Sequence, residues 1–267
     1  MDVSRVSIGL AGALDHAIIA ELAPAIESLG FHALWLNDTP DGDALAGLAV
    51  AAGVTTTLRL GTGVIPLDRR DASEIAGALA GLPQGRLSLG IGSGAARHPL
   101  GLVARGVREL TERSEASIFV GALGPKMRRM AAETADGVLF NWLTPAASAD
   151  AMNDLRRDAS GRDDSARGVR GARGVRGVLY VRTAMTEDAR GALHAEAERY
   201  GSYPSYASNL ERIGATAIET TIDGSVSGAL AARVAEYERS VDEVVLRAVT
   251  AEQSVEAYLD FIRKAAA

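Results

Sequence analysis

The feature that most constrains this chain is an alternation of short apolar runs with helical patterns from one end to the other. Helical apolar spacing follows the first run in residues 15–30, and similar patterns separate the later runs. Strands that alternate with helices pair in parallel through crossover helices, and uniformly apolar strands are buried on both faces. The β-like runs are residues 6–12, 32–38, 58–66, 86–94, 117–123, 137–142, 177–185 and 241–250.

This pattern predicts an α/β fold, namely a single (βα)8 TIM barrel domain over residues 1–267. A doubly wound open sheet is the alternative arrangement for the same alternation. The length agrees with one barrel, which typically needs about 250 residues. In the first helix, Pro24 predicts a kink or a late start, because proline lacks the N–H of an interior helical hydrogen bond.

Composition excludes several classes of function. The chain has no cysteine, which excludes disulfides, thiolate metal sites and a catalytic thiol. Its four histidines are too far apart in sequence for a helical metal-binding pair, so we predict no metal site. The net charge of −6 provides no attraction for nucleic acid or an anionic membrane surface. Because a long apolar run and a signal-peptide pattern are also missing, we expect a cytoplasmic protein without nucleic-acid or membrane partners.

An arginine-rich repeat occupies residues 167–178, "RGVRGARGVRGV", with a period of three. Gly/Arg repeats of this kind can bind RNA. The acidic chain around the repeat disfavours RNA binding. We interpret the repeat as an expanded loop that leads into the seventh predicted strand.

Four of the five ends of strands two to six carry glycine or an acid beside a cluster of Gly, Ser or Thr. The five ends read "WLNDTP", "GTGVIP", "GIGSGAARHP", "GALGP" and "FNWLTP". In a barrel they share one face, where ligands bind. Glycine lets the backbone approach a planar ring or a phosphate, and a Gly-Pro corner before a helix exposes free amides to an anion. The sequence therefore predicts a ligand site at this face.

Positive charges stand at an unexpected place in the fifth predicted helix. Lys126, Arg128 and Arg129 lie in its first turn. There they face the positive end of the helix dipole, which costs roughly 0.3–1 kcal/mol each. Either a bound phosphate reverses the local sign, or the side chains are solvated and the penalty is screened.

Several segments together resemble one known family. They are residues 30–38, 57–71, 85–94, 121–145 and 178–185, and they resemble the luciferase-like monooxygenase superfamily, especially its branch of deazaflavin (F420)-dependent oxidoreductases. The resemblance implies a TIM barrel, here with shortened insertions, that binds coenzyme F420 or alternatively FMN at its C-terminal face. It implies an oxidoreductase that transfers a hydride between F420 and a small organic substrate.

Three alternatives remain open. They are an FMN-dependent monooxygenase of the same fold, a catalytically weak flavin- or deazaflavin-binding protein, and an isomerase of a phosphorylated metabolite on the same barrel.

The resemblance also implies roles for individual residues. Asp38 would bind the polar edge of the ring system, and Gly63–Val64 would form a cis peptide bulge that backs the ring. Gly92, Ser93 and Gly94 would line the cofactor side chain. The phosphate would lie on the free amides of the corner formed by Ala122, Leu123, Gly124, Pro125 and Lys126, and Phe140 and Asn141 would lie near the ribityl chain or ring edge. A purely structural role in the barrel is the alternative for each of these residues.

Two departures from the family pattern concern proton transfer. Thr39 stands where related enzymes often have histidine, and Ala95 stands where some have glutamate. No obvious general acid remains on the ring face. His98 is the nearest replacement, and Arg182 would either bind an anionic substrate or pair with a core acid. The candidate catalytic residues are therefore Asp38, His98 and Arg182.

The connection between strands four and five is short for this family. This predicts an open site that a second subunit of a homodimer completes. Tyr200, Tyr203 and Tyr206 would form either a flexible cover or one side of a packed helix.

Overall fold

A computed structural model describes residues 1–162 and 174–267. Its centre is a closed barrel of parallel strands, because β10 pairs with β8 on one side and with β1 on the other. The barrel strands, in order around the ring, are β1 (Val6–Ala11), β2 (Ala33–Asn37), β3 (Arg59–Thr62), β5 (Leu87–Gly92), β6 (Ser117–Gly121), β7 (Gly137–Asn141), β8 (Arg176–Ala184) and β10 (Glu243–Ala248). The predicted TIM barrel is confirmed, and the open sheet is wrong.

Helices cover the outside of the barrel. They are α1 (His16–Ser28), α2 (Ala44–Val54), α3 (Ala72–Ala78), α4 (Pro99–Arg113), α5 (Pro125–Thr134), α6 (Pro145–Ala159), α7 (Arg190–Gly201), α8 (Pro204–Ile213), α9 (Ala229–Glu238) and α10 (Val255–Ala266). Side-chain caps define several starts, such as Asp43 before α2 and the reciprocal Asp71–Glu74 capping box at α3. The late start predicted for the first helix is wrong, because α1 begins at His16 and continues through the exposed Pro24.

The third predicted strand is divided in two. β3 ends at Thr62, and a short β4 (Ile65–Pro66) pairs with β5. The residues between them are joined by a cis Gly63–Val64 peptide bond, as the family resemblance implied. The single strand expected over residues 58–66 is therefore wrong at this point.

The segment after β8 adds structure that the sequence did not predict. α7 and α8 follow each other, and a short β9 (Ile222–Asp223) pairs with the end of β8. α9 then packs between α6 and β10, which is the place of an ordinary outer-ring helix. α7 and α8 are thus an addition to the barrel.

A buried carboxylate closes the N-terminal end of the barrel. Glu243, at the start of β10, accepts hydrogen bonds from Ser7 Oγ (2.7 Å) and Trp35 Nε1 (2.6 Å). Arg176 donates to its other oxygen at 2.9 Å. Above this network, Trp35 meets Phe119 and Tyr180 edge to face, with ring centroids about 6 Å apart. The lower interior is therefore filled, and both oxygens of its buried carboxylate have partners.

The Gly/Arg repeat lies mostly outside the described residues. Residues 167–173 of the Gly/Arg repeat lie outside them, and only the last residues of the repeat, from Arg176, enter β8.

Among the described helices, none combines the length and the apolar character that a membrane crossing requires.

Candidate functional site

A cavity of about 610 Å³ opens at the C-terminal ends of the barrel strands. Its volume lies in the range of small-molecule sites. The predicted site residues that line it are Asp38, Gly63, Val64, Gly92, Ser93, Gly94, Ala122, Leu123, Gly124, Phe140, Asn141 and Arg182. We call this space the ring cavity.

Three predicted residues lie outside the ring cavity lining. Pro125 is the first residue of α5 and is exposed, as is Lys126 after it. His98 precedes α4 as its N-cap residue and is also exposed. His98 therefore does not line the cavity itself, although Pro99 after it does.

Val64 projects between two strands that carry glycine beside it. A Cβ on Gly92 would lie 2.7 Å from Val64 Cγ2, and one on Gly121 would lie 2.9 Å from Val64 Cγ1. A Cβ on Gly63 would collide with the Tyr180 hydroxyl. Since real side chains do not approach so closely, a Cβ at any of the three places would displace Val64 or Tyr180, and the three glycines leave a smooth surface around Val64.

The turn after β5 depends on an acid that sequence reasoning missed. Gly94 has a φ of 57°, and a Cβ there would collide with the Asp68 carboxylate. The same carboxylate accepts the Ala95 N–H at 2.7 Å. Asp68 lies far from this turn in sequence, and no local pattern indicated the contact.

Asp38 is already engaged in two interactions. Its Oδ1 accepts the N–H of Ala44 at the start of α2 (3.0 Å), and its Oδ2 accepts from Arg69 Nη2 (3.0 Å). Helix capping, the alternative role, is therefore present, although the side chain also lines the ring cavity. Each carboxylate oxygen has a second lone pair left for a ligand.

Two arginines converge on the corner before α5. Arg128 Nε contacts the carbonyl oxygen of Ala122, and Arg212 Nη1 contacts that of Leu123, both at 3.4 Å. Burial, and then the positive charge of Arg212, lower the pKa of Arg128 to about 10. Among the described residues neither arginine has a carboxylate within ion-pair distance, and Gly124 provides no side-chain cap for α5. This corner therefore has an excess of positive charge.

Arg182 is enclosed and paired. Its Nε donates to Glu196 at 3.1 Å and its Nη1 to the Asn141 side chain. The guanidinium packs on the rings of Trp142 and Tyr200, 4.3 and 4.7 Å from their centroids. Of the two roles considered for Arg182, the structure contains the pairing with an acid.

Comparison with known proteins identifies the family. The sequence profile described as luciferase-like monooxygenase matches residues 7–115 and 103–265. The chain belongs to this family. A curated relative, the 5,10-methylenetetrahydromethanopterin reductase of Methanolobus tindarius, is 29% identical over 161 residues, with a coverage of 46% of this chain and 49% of the relative. The match thus spans about half the length of that relative.

Solved structures share the fold of this luciferase-like chain. An F420-dependent secondary alcohol dehydrogenase, in complex with an F420-acetone adduct, superposes with a TM-score of 0.72 at 13% identity, covering 98% of this chain and 99% of the other. A monooxygenase from Streptomyces bottropensis superposes with a TM-score of 0.70 at 17% identity, covering 98% and 97%. At such low identity these likenesses establish the fold alone.

The ring cavity also has polar atoms without hydrogen-bond partners among the described residues. The hydroxyls of Tyr180 and Thr39 are buried, and no described residue hydrogen-bonds to either. Burial raises the pKa of Tyr180 well above its usual value, and the charge of Glu243 adds to the shift. Sequence reasoning missed Tyr180, because an aromatic residue in a barrel strand is ordinarily core.

The tyrosines after β8 are packed. The ring of Tyr200 lies 5.0 Å from that of Tyr206 and 5.6 Å from that of Tyr203, both nearly perpendicular. Tyr200 and Tyr206 line the ring cavity, whereas Tyr203 is largely exposed. The prediction that they form one side of a packed helix is wrong, because Tyr200 lies in α7 and Tyr206 in α8, with Tyr203 as the N-cap residue of α8. Their ring contacts form a packed cluster across the two helices.

Proposed function

We propose that this chain is an oxidoreductase that transfers a hydride between coenzyme F420 and a small organic substrate. The observation that carries the proposal is the smooth surface around Val64 at the floor of the ring cavity. Three glycines without room for a Cβ leave backbone and one valine for a flat ring to lie on. A bound deazaflavin would supply the hydride donor or acceptor there.

The positive corner supports the phosphate part of the proposal. Arg128 is half-buried beside the free amides of α5, and Arg212 is close enough to lower its pKa. A phosphate on this corner would relieve the repulsion between the two guanidinium groups. Lys126 is exposed, so we assign the phosphate to the arginines and the backbone amides of the corner and not to the lysine side chain.

The remaining predicted residues have different parts in this proposal. Asp38 receives the polar edge of the ring through its free lone pairs. Arg182 positions Asn141 and the nearby aromatic rings. His98 has no part, because it is exposed outside the cavity.

FMN is the alternative cofactor, in a monooxygenase of the same fold. It also has a flat ring and a phosphate, so the same surface and the same corner suit it. A weakly catalytic binding protein is the other alternative, since Thr39 and Ala95 offer no general acid beside the ring.

Calorimetric titration of the protein with F420 and with FMN tests the proposal. We expect micromolar or tighter binding of F420, with FMN at least about ten-fold weaker. If FMN binds more tightly than F420, FMN is the cofactor. If neither binds, the proposed function is wrong. Arg128→Ala should weaken binding by about ten-fold or more, whereas Lys126→Ala should change it little.

The expected homodimer also belongs to the proposal. The turn from β5 leads directly into α4, and this short connection leaves that side of the cavity to a second copy. Size-exclusion chromatography with light scattering should give twice the mass of the 27.7 kDa chain. A monomer at micromolar concentration would contradict this part alone.

A further inference from the structure

The ring cavity has two unlike sides. Counted around the barrel, β3 and β8 are separated by the same number of strands in either direction, so they stand opposite each other. Val64 follows β3, and Arg182 lies in β8 with Tyr200 and Tyr206 after it. A ring on Val64 would therefore face a second partner on the side of the two tyrosines. We call Tyr200 and Tyr206 the tyrosine wall.

The charge of Arg182, next to the tyrosine wall, is neutralised. Arg182 is only 4% exposed and its Nε is held by Glu196. Although burial alone would raise the pKa of Glu196, the charges of Arg182 and Arg247 hold it below its usual value, so this acid is ionised at neutral pH. The pair leaves Arg182 without a free charge for a carboxylate or phosphate of a substrate.

Tyr206 is a polar group of the wall without a hydrogen-bond partner among the described residues. It is half-buried and lines the ring cavity, and none of the described residues hydrogen-bonds to its hydroxyl. Burial and the neighbouring Tyr200 raise the pKa of Tyr206, so the phenol stays protonated and can donate. An accessible donor on an aromatic surface suits a neutral acceptor oxygen attached to a flat apolar group.

We propose that the tyrosine wall binds an uncharged, planar carbonyl compound, aromatic or conjugated, with the Tyr206 hydroxyl donating a hydrogen bond to its carbonyl oxygen. This inference rests on the proposed function, since it assigns the substrate class of the same cavity. The Arg182–Glu196 pair acts as a specificity device, because it removes the charge that would attract an anionic analogue.

Acetophenone and benzoate test the inference, since they share a phenyl ring and a carbonyl but differ in charge. Calorimetric titrations use the protein with and without its bound cofactor. We expect acetophenone to bind at least about ten-fold more tightly than benzoate to the loaded protein. Equal or tighter binding of benzoate, or no binding of acetophenone, would overturn the inference.

Variants separate the hydroxyl from the shape of the wall. Tyr206→Phe should weaken acetophenone about five-fold and leave benzoate unchanged, as expected for loss of one neutral hydrogen bond. Tyr203→Phe is the matched control, because Tyr203 is 44% exposed and does not line the cavity. An unchanged affinity for acetophenone in Tyr206→Phe would contradict the assigned hydrogen bond.

Glu196→Gln tests the specificity device directly. Removing the acid frees the Arg182 charge, so benzoate should gain about ten-fold in affinity while acetophenone changes little. No gain for benzoate would contradict the role of the pair. The two proposals fail by different results. If neither F420 nor FMN binds, the proposed function is wrong. If the cofactor binds normally but the preference for acetophenone over benzoate is the same in these variants as in the natural protein, only the present inference is wrong.

Discussion

Two buried polar groups, one at each end of the barrel interior, differ in their hydrogen-bond partners. At the N-terminal end, Glu243 has partners on both oxygens and is only 2% exposed. At the C-terminal end, the Tyr180 hydroxyl is equally buried and has no partner among the described residues. Buried polar groups normally find partners, and leaving one without a partner costs about 1–3 kcal/mol. This difference supports a stabilising role for Glu243 and the proposed ligand site at the upper end.

The largest expected effect is a loss of unfolding free energy at the N-terminal end of the barrel. Glu243→Gln leaves Arg176 without its ion-pair partner, so the free energy of unfolding should fall by about 3 kcal/mol. Urea denaturation followed by circular dichroism measures it. Glu236→Gln is the control, because the Arg233–Glu236 pair is partly exposed and should contribute less than about 1 kcal/mol. A similar loss in both variants would remove the distinction.

The next effect concerns the ligand end. Gly121→Ala places a methyl group against Val64 and displaces it, so cofactor affinity should fall by about ten-fold. Gly77→Ala is the control, since a Cβ there has nothing within 4 Å. Titration calorimetry on both proteins gives the two affinities. Normal binding by Gly121→Ala would show that the surface around Val64 does not carry the ring.

A pair of tyrosine variants compares a satisfied hydroxyl with an unsatisfied one. Tyr237 donates to the Leu143 carbonyl oxygen at 3.0 Å, so Tyr237→Phe should cost about 1 kcal/mol of unfolding free energy. Tyr180→Phe removes a hydroxyl without a partner and should leave stability unchanged or raise it by up to about 1 kcal/mol. Denaturation of the ligand-free proteins measures both. If Tyr180→Phe lowers the free energy of unfolding as much as Tyr237→Phe, the Tyr180 hydroxyl does have a hydrogen-bond partner.

The smallest effect is a pH dependence at the lower end. Burial lowers the pKa of His32, as do the charges of Arg176 and Arg59, although Glu243 opposes them. Because the unfolded chain then binds the proton more tightly, His32 contributes stability above its ordinary pKa of about 6.5, and this is lost as the pH falls. His32→Gln should therefore lose less stability than the natural protein between about pH 7 and pH 5. Equal losses would contradict this sign.

Much of the fold was predictable, because its signals are local. Each barrel strand is an apolar run whose character does not depend on distant residues, and Gly124–Pro125 marks the start of α5 directly. Four glycines of the ring cavity, Gly63, Gly92, Gly94 and Gly124, were also named from sequence through the family resemblance, whereas Gly121 was missed. α7 and α8 were not predicted as separate helices, because their apolar spacing is interrupted by tyrosines that pack on the barrel face.

The sequence by itself determined the barrel and the face on which the ring cavity opens, and the family resemblance implied the cis peptide bond before Val64. Only the tertiary structure decided which charges are satisfied. Arg182 is neutralised by Glu196, whereas Arg128 meets Arg212, and neither outcome is visible in the residue types. The physical reason is that strand and turn preferences act between neighbours in the chain, whereas ion pairing depends on distances that the closed barrel sets between residues far apart in sequence.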